Sequence, residues 1–210
     1  MIRVIIADDH AIFREGIKEV LGKTSDIILS GEAFNGQELL DCISKEEFDI
    51  VLLDINMPGR RGLDILKEIK SLKPSLPVLM FSMYPEKRYA LRALKLKASG
   101  YLTKESASTE LVNAIRKIYS GKKYISLQLA EDIASSIGEE NEKQLYEYLS
   151  EREFEVMLKI ADGKKIKNIA DEMFLGSTTI STYRARILEK LSLKSDADII
   201  KYVIENNLDD

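Results

Sequence analysis

The chain has 210 residues, which is long for one small domain and sufficient for two. Hydrophobic residues make up 45% of it and charged residues 31%, as in ordinary globular proteins, and no run approaches the roughly 20 apolar residues that cross a bilayer. The single cysteine excludes an intrachain disulfide and favours a cytoplasmic location. The formal net charge of -4 excludes a uniformly basic surface, so nucleic acid could bind only through a local basic patch.

Short apolar runs alternate with helix-period segments over the first 120 residues. Continuous apolar runs are typical of strands that are buried on both faces of a parallel sheet. They predict five strands, at 2–7, 27–29, 50–53, 78–81 and 100–102. The intervening segments predict helices at about 11–22, 36–46, 63–72, 86–97 and 107–120. This alternation predicts an α/β fold with a doubly wound, five-stranded parallel sheet.

Only helices are predicted in the remainder of the chain. A helix over 126–137 is followed by a polar, acidic segment at 138–143, which is typical of a linker. Four helices are predicted beyond it, ending near 162, over 165–174, over 178–191 and ending near 206. The C-terminal part is therefore predicted to be an all-α domain.

Polar residues mark the ends of these four helices. Ser150 and Glu153 have the spacing of a capping box, and Gly163 is placed to end the first helix. Ser177 and Ser195 are placed to cap the third and fourth helices. These signals leave only a tight turn between the second and third helices.

Acidic residues follow or end two of the predicted strands. Asp8 and Asp9 follow the first strand and Asp54 follows the third, and the carboxyl ends of parallel strands meet at one edge of a sheet. Three carboxylates placed together repel one another, and a hard divalent cation such as Mg²⁺ relieves that repulsion. An aspartate beside bound Mg²⁺ can act as a nucleophile toward a phosphoryl group, which predicts that role for Asp54.

Two further polar residues lie at the ends of the remaining strands. Ser82 ends the fourth and supplies a hydroxyl, and Lys104 follows the fifth and supplies a positive charge. Both groups could bind the oxygens of a phosphoryl group on Asp54. Each residue alone is compatible with an ordinary turn, but their joint placement favours a phosphoryl-transfer site.

The only histidine and the only cysteine are interpreted as structural residues. His10 is predicted to be a polar start to the first helix and not a metal ligand, since Mg²⁺ prefers oxygen. Cys42 lies on a helix of apolar residues and is predicted to be a core residue and not a reactive thiol.

Four segments of this part resemble the receiver domains of bacterial two-component response regulators, at 7–10, 53–59, 81–83 and 100–104. The resemblance covers residues 1–122 and implies a flavodoxin-like (CheY-like) fold. It implies that a partner histidine kinase phosphorylates Asp54, and that Tyr101 is an aromatic switch residue which turns inward as Ser82 moves toward the phosphate. It also implies that Ser82 and Lys104 bind the phosphoryl oxygens.

The same resemblance implies the ligands of a Mg²⁺ ion, namely Asp9, Asp54 and the backbone carbonyl of Asn56, with Asp8 acting through water. Many receivers have a proline after the lysine, whereas this chain has Glu105, which makes a cis bond there unexpected. Asn56 and Tyr84 lie where their side chains could screen Asp54 from water. They are therefore expected to tune the lifetime of the phosphate.

The segment 164–194 is basic, with seven Lys and Arg against three Asp and Glu. Its helix at 165–174, turn at 175–177 and helix at 178–191 predict a helix-turn-helix. The core face of the second helix is predicted to consist of Ile180, Tyr183, Ile187 and Leu191. The candidate DNA contacts are Lys165, Ser177, Thr178, Thr179, Ser181, Thr182, Arg184, Ala185, Arg186 and Lys190. Small polar residues among them permit close approach to base edges, and the cations could reach phosphates.

Residues 149–157, 169–170 and 179–191 resemble the LuxR-type helix-turn-helix, over about 146–208. The whole chain thus resembles the NarL/FixJ class of response regulator. This implies three segments: a receiver domain at 1–122, a linker with one helix at 123–145 and a DNA-binding domain at 146–210. It implies double-stranded DNA, a second copy of the chain and RNA polymerase as partners, with the last helix contributing to a dimer on DNA. Lysines that some relatives carry at Ser181 and Ala185 are missing, so their base preferences do not transfer.

Two other functions remain open from the sequence. The carboxylate cluster is also compatible with a Mg²⁺-dependent aspartyl-phosphate phosphohydrolase. Such hydrolases have a second acid-base aspartate two residues after the nucleophile, where this chain has Asn56. The helical C-terminal part is also compatible with a module that binds a protein instead of DNA.

Overall fold

The computed structural model describes residues 1–57, 59–84, 86–127, 129–131, 145–206 and 208. The chain divides into two compact units, residues 1–132 and 133–210. Within the described residues, no helix has the length and apolar character that crossing a membrane requires.

The N-terminal unit alternates strands and helices, as predicted. The strands are β1 (Ile2–Ala7), β2 (Ile27–Ala33), β3 (Ile50–Asp54), β4 (Val78–Ser82) and β5 (Gly100–Thr103). The helices are α1 (Ala11–Gly22), α2 (Gly36–Lys45), α3 (Gly62–Leu72), α4 (Glu86–Lys95) and α5 (Ala107–Tyr119). The predicted fold class is confirmed by this element order and by the sheet that the strands form.

The five strands form one parallel sheet in the order β2-β1-β3-β4-β5. β1 pairs with β2 on one side and with β3 on the other, where Ala7 lies opposite Leu53. The strand order therefore reverses at β1. Ligands of such sheets bind beyond the carboxyl ends of the strands at this switch point.

One hydrophobic cluster packs α1 and α5 against one face of the sheet. Apolar side chains of the central strands, among them Val4 and Leu52, are fully buried there, and so are Leu111 and Ile115 of α5. Burial of each such side chain stabilises the fold by about 1.5–3 kcal/mol. The packing holds the strand ends, and hence the residues that follow them, in fixed positions.

Four predictions need correction or lie outside the described residues. β2 continues to Ala33, beyond the predicted 27–29, because its later residues are half-buried on an edge strand and do not form an apolar run. Cys42 is half-buried and not a core residue. The predicted helix at 126–137 and the linker at 138–143 lie mostly outside the described residues.

The C-terminal unit is helical throughout its described part, as predicted. A 3₁₀ helix at Leu145–Tyr148 precedes α6 (Glu151–Ala161), α7 (Ile166–Glu172), α8 (Ser177–Lys190) and α9 (Asp196–Glu205). The capping box of α6 is confirmed, since the Glu153 N–H donates to the Ser150 hydroxyl at 3.3 Å and the Ser150 N–H donates to the Glu153 carboxylate at 2.7 Å. The cap of α9 is also confirmed, because the Asp198 N–H donates to the Ser195 hydroxyl at 3.2 Å.

The predicted cap of α8 is wrong. Ser177 is the first helical residue, and the N-cap is Gly176, which has an extended backbone and no side chain that could cap. The helix begins one residue earlier than the pattern indicated, so the Ser177 hydroxyl lies inside the first turn. This places Ser177 itself on the exposed N-terminal turn of α8.

An exposed aromatic residue has a strained backbone in the turn between α7 and α8. Phe174 has a φ of 53° and is 90% exposed. The N–H of Leu175 donates to the carbonyl of Ala170 at 2.9 Å, which is the Schellman arrangement in which glycine or asparagine is preferred at the position of Phe174. Gly163 holds the same position after α6, with a φ of 76°.

Replacement of Phe174 by asparagine is therefore expected to stabilise the C-terminal unit by about 1 kcal/mol, because strain is relieved and little apolar burial is lost. Urea unfolding of the full chain, followed by circular dichroism, measures the change. The matched variant Gly163→Ala places a Cβ at the equivalent position and is expected to change stability in the opposite direction. A less stable Phe174→Asn protein would show that the aromatic ring makes a stabilising contact.

Candidate functional site

Three carboxylates meet at the switch point of the sheet. Asp8 and Asp9 follow β1, and Asp54 is the last residue of the adjacent β3. Asp8 is 1% exposed and Asp54 2%, whereas Asp9 faces solvent. Ligand atoms of these three residues and of His10 all lie within 4.8 Å of one another. The structure thus brings together the acids that the sequence placed at two strand ends.

Lys104 follows β5 and reaches across to these acids. Its Nζ atom lies 2.6 Å from Asp8 Oδ2 and 2.9 Å from Asp54 Oδ2, and its side chain is almost fully buried. The Lys104 N–H donates to the Ser82 carbonyl at 2.7 Å, which holds the start of this loop against the end of β4. The lysine is therefore fixed beside Asp54 by both its backbone and its charge.

The charges in the pocket are not balanced by the protein alone. Burial raises the pKa of Asp54 to about 6, with Asp8 adding to the rise and Lys104 opposing it. Asp8 Oδ2 is buried, and its close partner among the described atoms is Lys104 Nζ, which Asp54 Oδ2 shares. Asp54 Oδ1 accepts one hydrogen bond, from the Asn56 N–H at 3.2 Å. A set of oxygen donors with excess negative charge fits a hard divalent cation.

His10 also points into this pocket. It occupies the N-cap position of α1, as predicted for a polar helix start, but its side chain does not cap the helix. Its Nδ1 atom lies 2.9 Å from Asp9 Oδ1, 3.0 Å from Asp8 Oδ1 and 4.0 Å from Asp54 Oδ2. No sequence pattern indicates this direction, since a histidine at a helix start can equally well face solvent.

Ser82 and Tyr101 form a connected pair beside the pocket. The Ser82 hydroxyl accepts the Tyr84 N–H at 3.0 Å, and the Tyr101 hydroxyl donates to the Tyr84 carbonyl at 2.9 Å. Both side chains are fully buried. Burial raises the pKa of Tyr101 well above its usual range, a rise that the nearby Ser82 hydroxyl opposes. Tyr101 therefore points inward, and the backbone of Tyr84 links it to Ser82.

Gly62 packs against the backbone of Asp54 and Ile55, and its role at the pocket was not predicted from the sequence. A Cβ atom on this residue would lie 2.1 Å from the Asp54 carbonyl oxygen and 2.7 Å from Ile55 Cα. The Gly62 N–H also donates to the Ile55 carbonyl at 2.9 Å. The start of α3 can therefore approach the backbone of Asp54 only because this residue has no side chain.

In the C-terminal unit, α7, the turn and α8 form the predicted helix-turn-helix. Ile180, Ile187 and Leu191 are buried, as predicted, whereas Tyr183 is only partly buried. The predicted contact residues of α8 that are exposed are Ser177, Thr178, Thr179, Ser181, Thr182, Ala185, Arg186 and Lys190. The face of α8 opposite the buried residues is therefore accessible and polar, and most of its side chains are small.

Two of the predicted cationic contacts are paired within the unit. Arg184 Nε lies 2.6 Å from Asp196 Oδ1, and Lys190 Nζ lies 2.6 Å from Glu153 Oε2. Lys165 and Arg186 are exposed, and neither makes an ion pair with a residue that the structure describes. These two side chains are the predicted cations that are most available to an external anion.

Comparison with known families defines both units. Residues 4–116 match the response regulator receiver domain, and residues 147–203 match the luxR family of bacterial regulatory proteins. The sheet, the acidic pocket and the helix-turn-helix agree with these two matches. The chain belongs to the response regulators of the NarL/FixJ class, in which a receiver domain is joined to a LuxR-type DNA-binding domain.

Similar proteins match over nearly their whole length. The chain is 33% identical to the response regulator GacA of Pseudomonas aeruginosa, over 100% of this chain and 99% of that protein. It is 33% identical to the response regulator UvrY of Escherichia coli, over 99% and 96% of the two chains. A solved structure of RcsB from Salmonella enterica serovar Typhimurium, bound to the promoter rprA with the phosphomimetic BeF3-, matches with a TM-score of 0.67 and 25% identity, over 97% of this chain and 98% of that chain.

Proposed function

We propose that this protein receives a phosphoryl group on Asp54 from a histidine kinase and, in response, binds DNA through α8 as a dimer. The observation that carries the proposal is the pocket in which Asp54, Lys104 and two further aspartates meet at the strand ends. We place the receiver domain at 1–122, the linker at 123–145 and the DNA-binding domain at 146–210. A cytoplasmic location is proposed with this function, since DNA and the kinase's phosphorylated domain would meet the protein there.

Phosphoryl transfer to Asp54 requires a nucleophile and neutralisation of the phosphoryl oxygens. An Oδ atom of Asp54 forms a bond to phosphorus as the bond from phosphorus to the kinase histidine nitrogen breaks. A bound Mg²⁺ would supply positive charge to the transferring oxygens. Asp9, Asp54 and the carbonyl of Asn56 would hold the ion, with Asp8 acting through water.

The residues around Asp54 have separate proposed roles once Asp54 is phosphorylated. Lys104, now paired with Asp54, would pair with a phosphoryl oxygen instead, because phosphorylation removes the charge of the carboxylate and the phosphoryl oxygens carry negative charge. The Ser82 hydroxyl would donate to another oxygen and thereby leave the Tyr84 N–H. Because Tyr84 also holds Tyr101, movement of Ser82 would reach the switch residue through one backbone segment. Asn56 and Tyr84 are proposed to tune the rate at which the phosphate on Asp54 is hydrolysed. Phosphorylation of Asp54 from a small phosphodonor and this hydrolysis are the only reactions that we expect the protein itself to catalyse.

DNA binding is proposed for the exposed face of α8. Side chains such as Thr178, Ser181 and Thr182 would approach base edges in a major groove, and Ala185 would permit close contact. Lys165 and Arg186 would contact phosphates, and the N-terminal turn of α8 would add its dipole. Two copies would bind half-sites about one helical turn apart, with RNA polymerase as a further partner. The RcsB structure on its promoter supports this proposal by similarity.

The test is genome-wide footprinting of the wild type and Asp54→Asn, with and without a phosphodonor. Phosphorylation is expected to raise occupancy by the wild type about tenfold, and to leave occupancy by the variant unchanged. Asp64→Asn on α3 is the matched control, since its carboxylate is about half exposed, pairs with Lys67 and is not one of the clustered acids, and it should respond as the wild type does. An Asp54→Asn protein that responds fully to the phosphodonor would contradict the proposal.

A further inference from the structure

The start of the proposed linker lies along β5, the edge strand that carries the switch residue. Tyr124 forms a parallel bridge with Gly100. Its N–H donates to the Ser99 carbonyl at 2.9 Å, and its carbonyl accepts a hydrogen bond from the Tyr101 N–H at 3.4 Å. Because β4 occupies the other side of β5, Tyr124 covers the edge that the sheet leaves open. The backbone of the switch residue is thus bonded directly to the linker.

Close packing holds Tyr124 in this place. The residue is 6% exposed, its hydroxyl donates to the Glu110 carboxylate of α5, and Lys117 Nζ lies 5.5 Å from the centre of its ring. A Cβ atom on Gly100 would lie 2.6 Å from the Tyr124 carbonyl oxygen, so the bridge requires a residue without a side chain at position 100. The linker therefore begins in a specific, buried contact with the receiver domain.

Ser126 attaches the same segment to the first residue of α4. Its hydroxyl donates to the Glu86 carboxylate and accepts a hydrogen bond from the Leu129 N–H at 3.1 Å. Leu129 is itself buried. We call Tyr124, Ser126 and Leu129 the linker anchor. Through its first two residues the anchor is bonded to β5, α4 and α5.

Ser82 is connected to the linker anchor through Tyr84. The Ser82 hydroxyl accepts a hydrogen bond from the Tyr84 N–H at 3.0 Å, and the Tyr84 carbonyl accepts one from the Tyr101 hydroxyl at 2.9 Å. Tyr101 leads to the anchor through its backbone N–H, and Glu86, two residues beyond Tyr84, leads to it through its carboxylate. Under the proposed function Ser82 leaves the Tyr84 N–H for a phosphoryl oxygen, so both connections lose a fixed point at that moment.

We propose that the bond between Ser126 and Glu86 is a latch, which holds the linker anchor in the unphosphorylated protein and opens when Asp54 is phosphorylated. The inference rests on the proposed function, because the movement of Ser82 is what would disturb Glu86. Opening exposes the amides of the anchor and loosens the chain that leads to the DNA-binding domain. Thermodynamic linkage requires the reverse effect as well, so a protein with an open latch binds a phosphoryl analogue more tightly.

Two substitutions of Ser126 separate the latch from the local turn that the same hydroxyl stabilises. Ser126→Asp keeps an oxygen that can accept the Leu129 N–H, but it sets a second carboxylate against Glu86 and opens the latch. Ser126→Asn has nearly the same shape, and its amide group can both accept that N–H and donate to Glu86. Glu86→Ala removes the acceptor without altering Ser126 and is expected to behave as Ser126→Asp does.

The first measurement is hydrogen exchange of peptides that begin at Tyr124, followed by mass spectrometry of the full-length protein. Addition of beryllofluoride and Mg²⁺ is expected to speed exchange about tenfold in the wild type and in Ser126→Asn. Ser126→Asp is expected to exchange at the faster rate without any addition. An unchanged rate in the beryllofluoride-bound wild type, or slow exchange in Ser126→Asp, would overturn the inference and leave the proposed function intact.

The second measurement is the affinity for beryllofluoride in the presence of Mg²⁺, by titration calorimetry. Ser126→Asp is expected to bind about threefold more tightly than the wild type or better, and Ser126→Asn to remain within about twofold of it. A residue with only a structural role would not strengthen binding at a distant site, so equal affinities in all three proteins would overturn the latch. A wild type that binds no beryllofluoride would instead refute the proposed function.

Discussion

Replacement of Gly62 by alanine is expected to abolish phosphorylation of Asp54 and to destabilise the receiver domain by about 3 kcal/mol. The added Cβ would lie 2.1 Å from the Asp54 carbonyl oxygen and 2.9 Å from the carbonyl carbon, and backbone atoms cannot rotate away as a flexible side chain can. The backbone that carries the phosphoacceptor must therefore shift. Labelling with acetyl phosphate and urea unfolding measure the two effects.

Gly16 provides a matched control for this variant. It lies inside α1 on an exposed face, and a Cβ there meets no atom within 4 Å. Gly16→Ala is expected to stabilise the protein by up to about 1 kcal/mol, because alanine has the higher helix propensity, and to leave phosphorylation unchanged. A Gly62→Ala protein that is labelled at the wild-type rate would contradict the role assigned to this close approach.

Replacement of Glu153 by alanine is expected to destabilise the DNA-binding domain by about 3 kcal/mol. Its carboxylate is buried and accepts hydrogen bonds from the Ser150 N–H at 2.7 Å and from Lys190 Nζ at 2.6 Å. Its removal would therefore break the cap at the start of α6 and the contact that the end of α8 makes with it. Urea unfolding followed by circular dichroism measures the loss. Glu172→Ala is the control, since its carboxylate, which pairs with Lys159 and Lys164, is solvent-exposed, and its removal should cost less than about 1 kcal/mol.

The contribution of Glu153 is also expected to depend on pH. Burial alone raises the pKa of Glu153, but the bonds from Lys190 and Ser150 outweigh it and hold the pKa below its ordinary value of 4.5. A carboxyl whose pKa is lowered on folding stabilises the native state above its unfolded pKa, and this stabilisation is lost as pH falls through the folded pKa. The stability gap between wild type and Glu153→Ala should therefore narrow as pH falls below 4.5. A gap that is constant with pH would show that the carboxylate charge is not what stabilises the domain.

The acidic pocket could be predicted because it depends on features that a sequence displays. Apolar runs locate the strands, and parallel strands bring their carboxyl ends to one edge, so Asp8 and Asp54 had to be close once the sheet was predicted. The same holds for the accessible face of α8, since helical periodicity separates Ile180 and Ile187 from the polar residues.

Other features depend on contacts between distant residues and could not be predicted. The need for glycine at position 62 follows from the location of one carbonyl oxygen in β3. The pairing of Lys190 with Glu153 joins residues that are 37 positions apart, and no local pattern distinguishes that lysine from one free to bind phosphate. The inward direction of His10 depends on which carboxylates surround it after folding.

The buried phenol of Tyr101 has a consequence in strong base. The chain contains no tryptophan, so its near-ultraviolet absorbance reports mainly on tyrosine. Tyr119 and Tyr148 are about half exposed, whereas Tyr101 is fully buried. Burial holds the pKa of Tyr101 above its ordinary value of 10.0, so only the unfolded chain gains phenolate there, and stability falls as pH rises past that value. In a titration of tyrosine absorbance with alkali, ionisation of Tyr101 and unfolding of the N-terminal unit should therefore occur together, in one step at high pH.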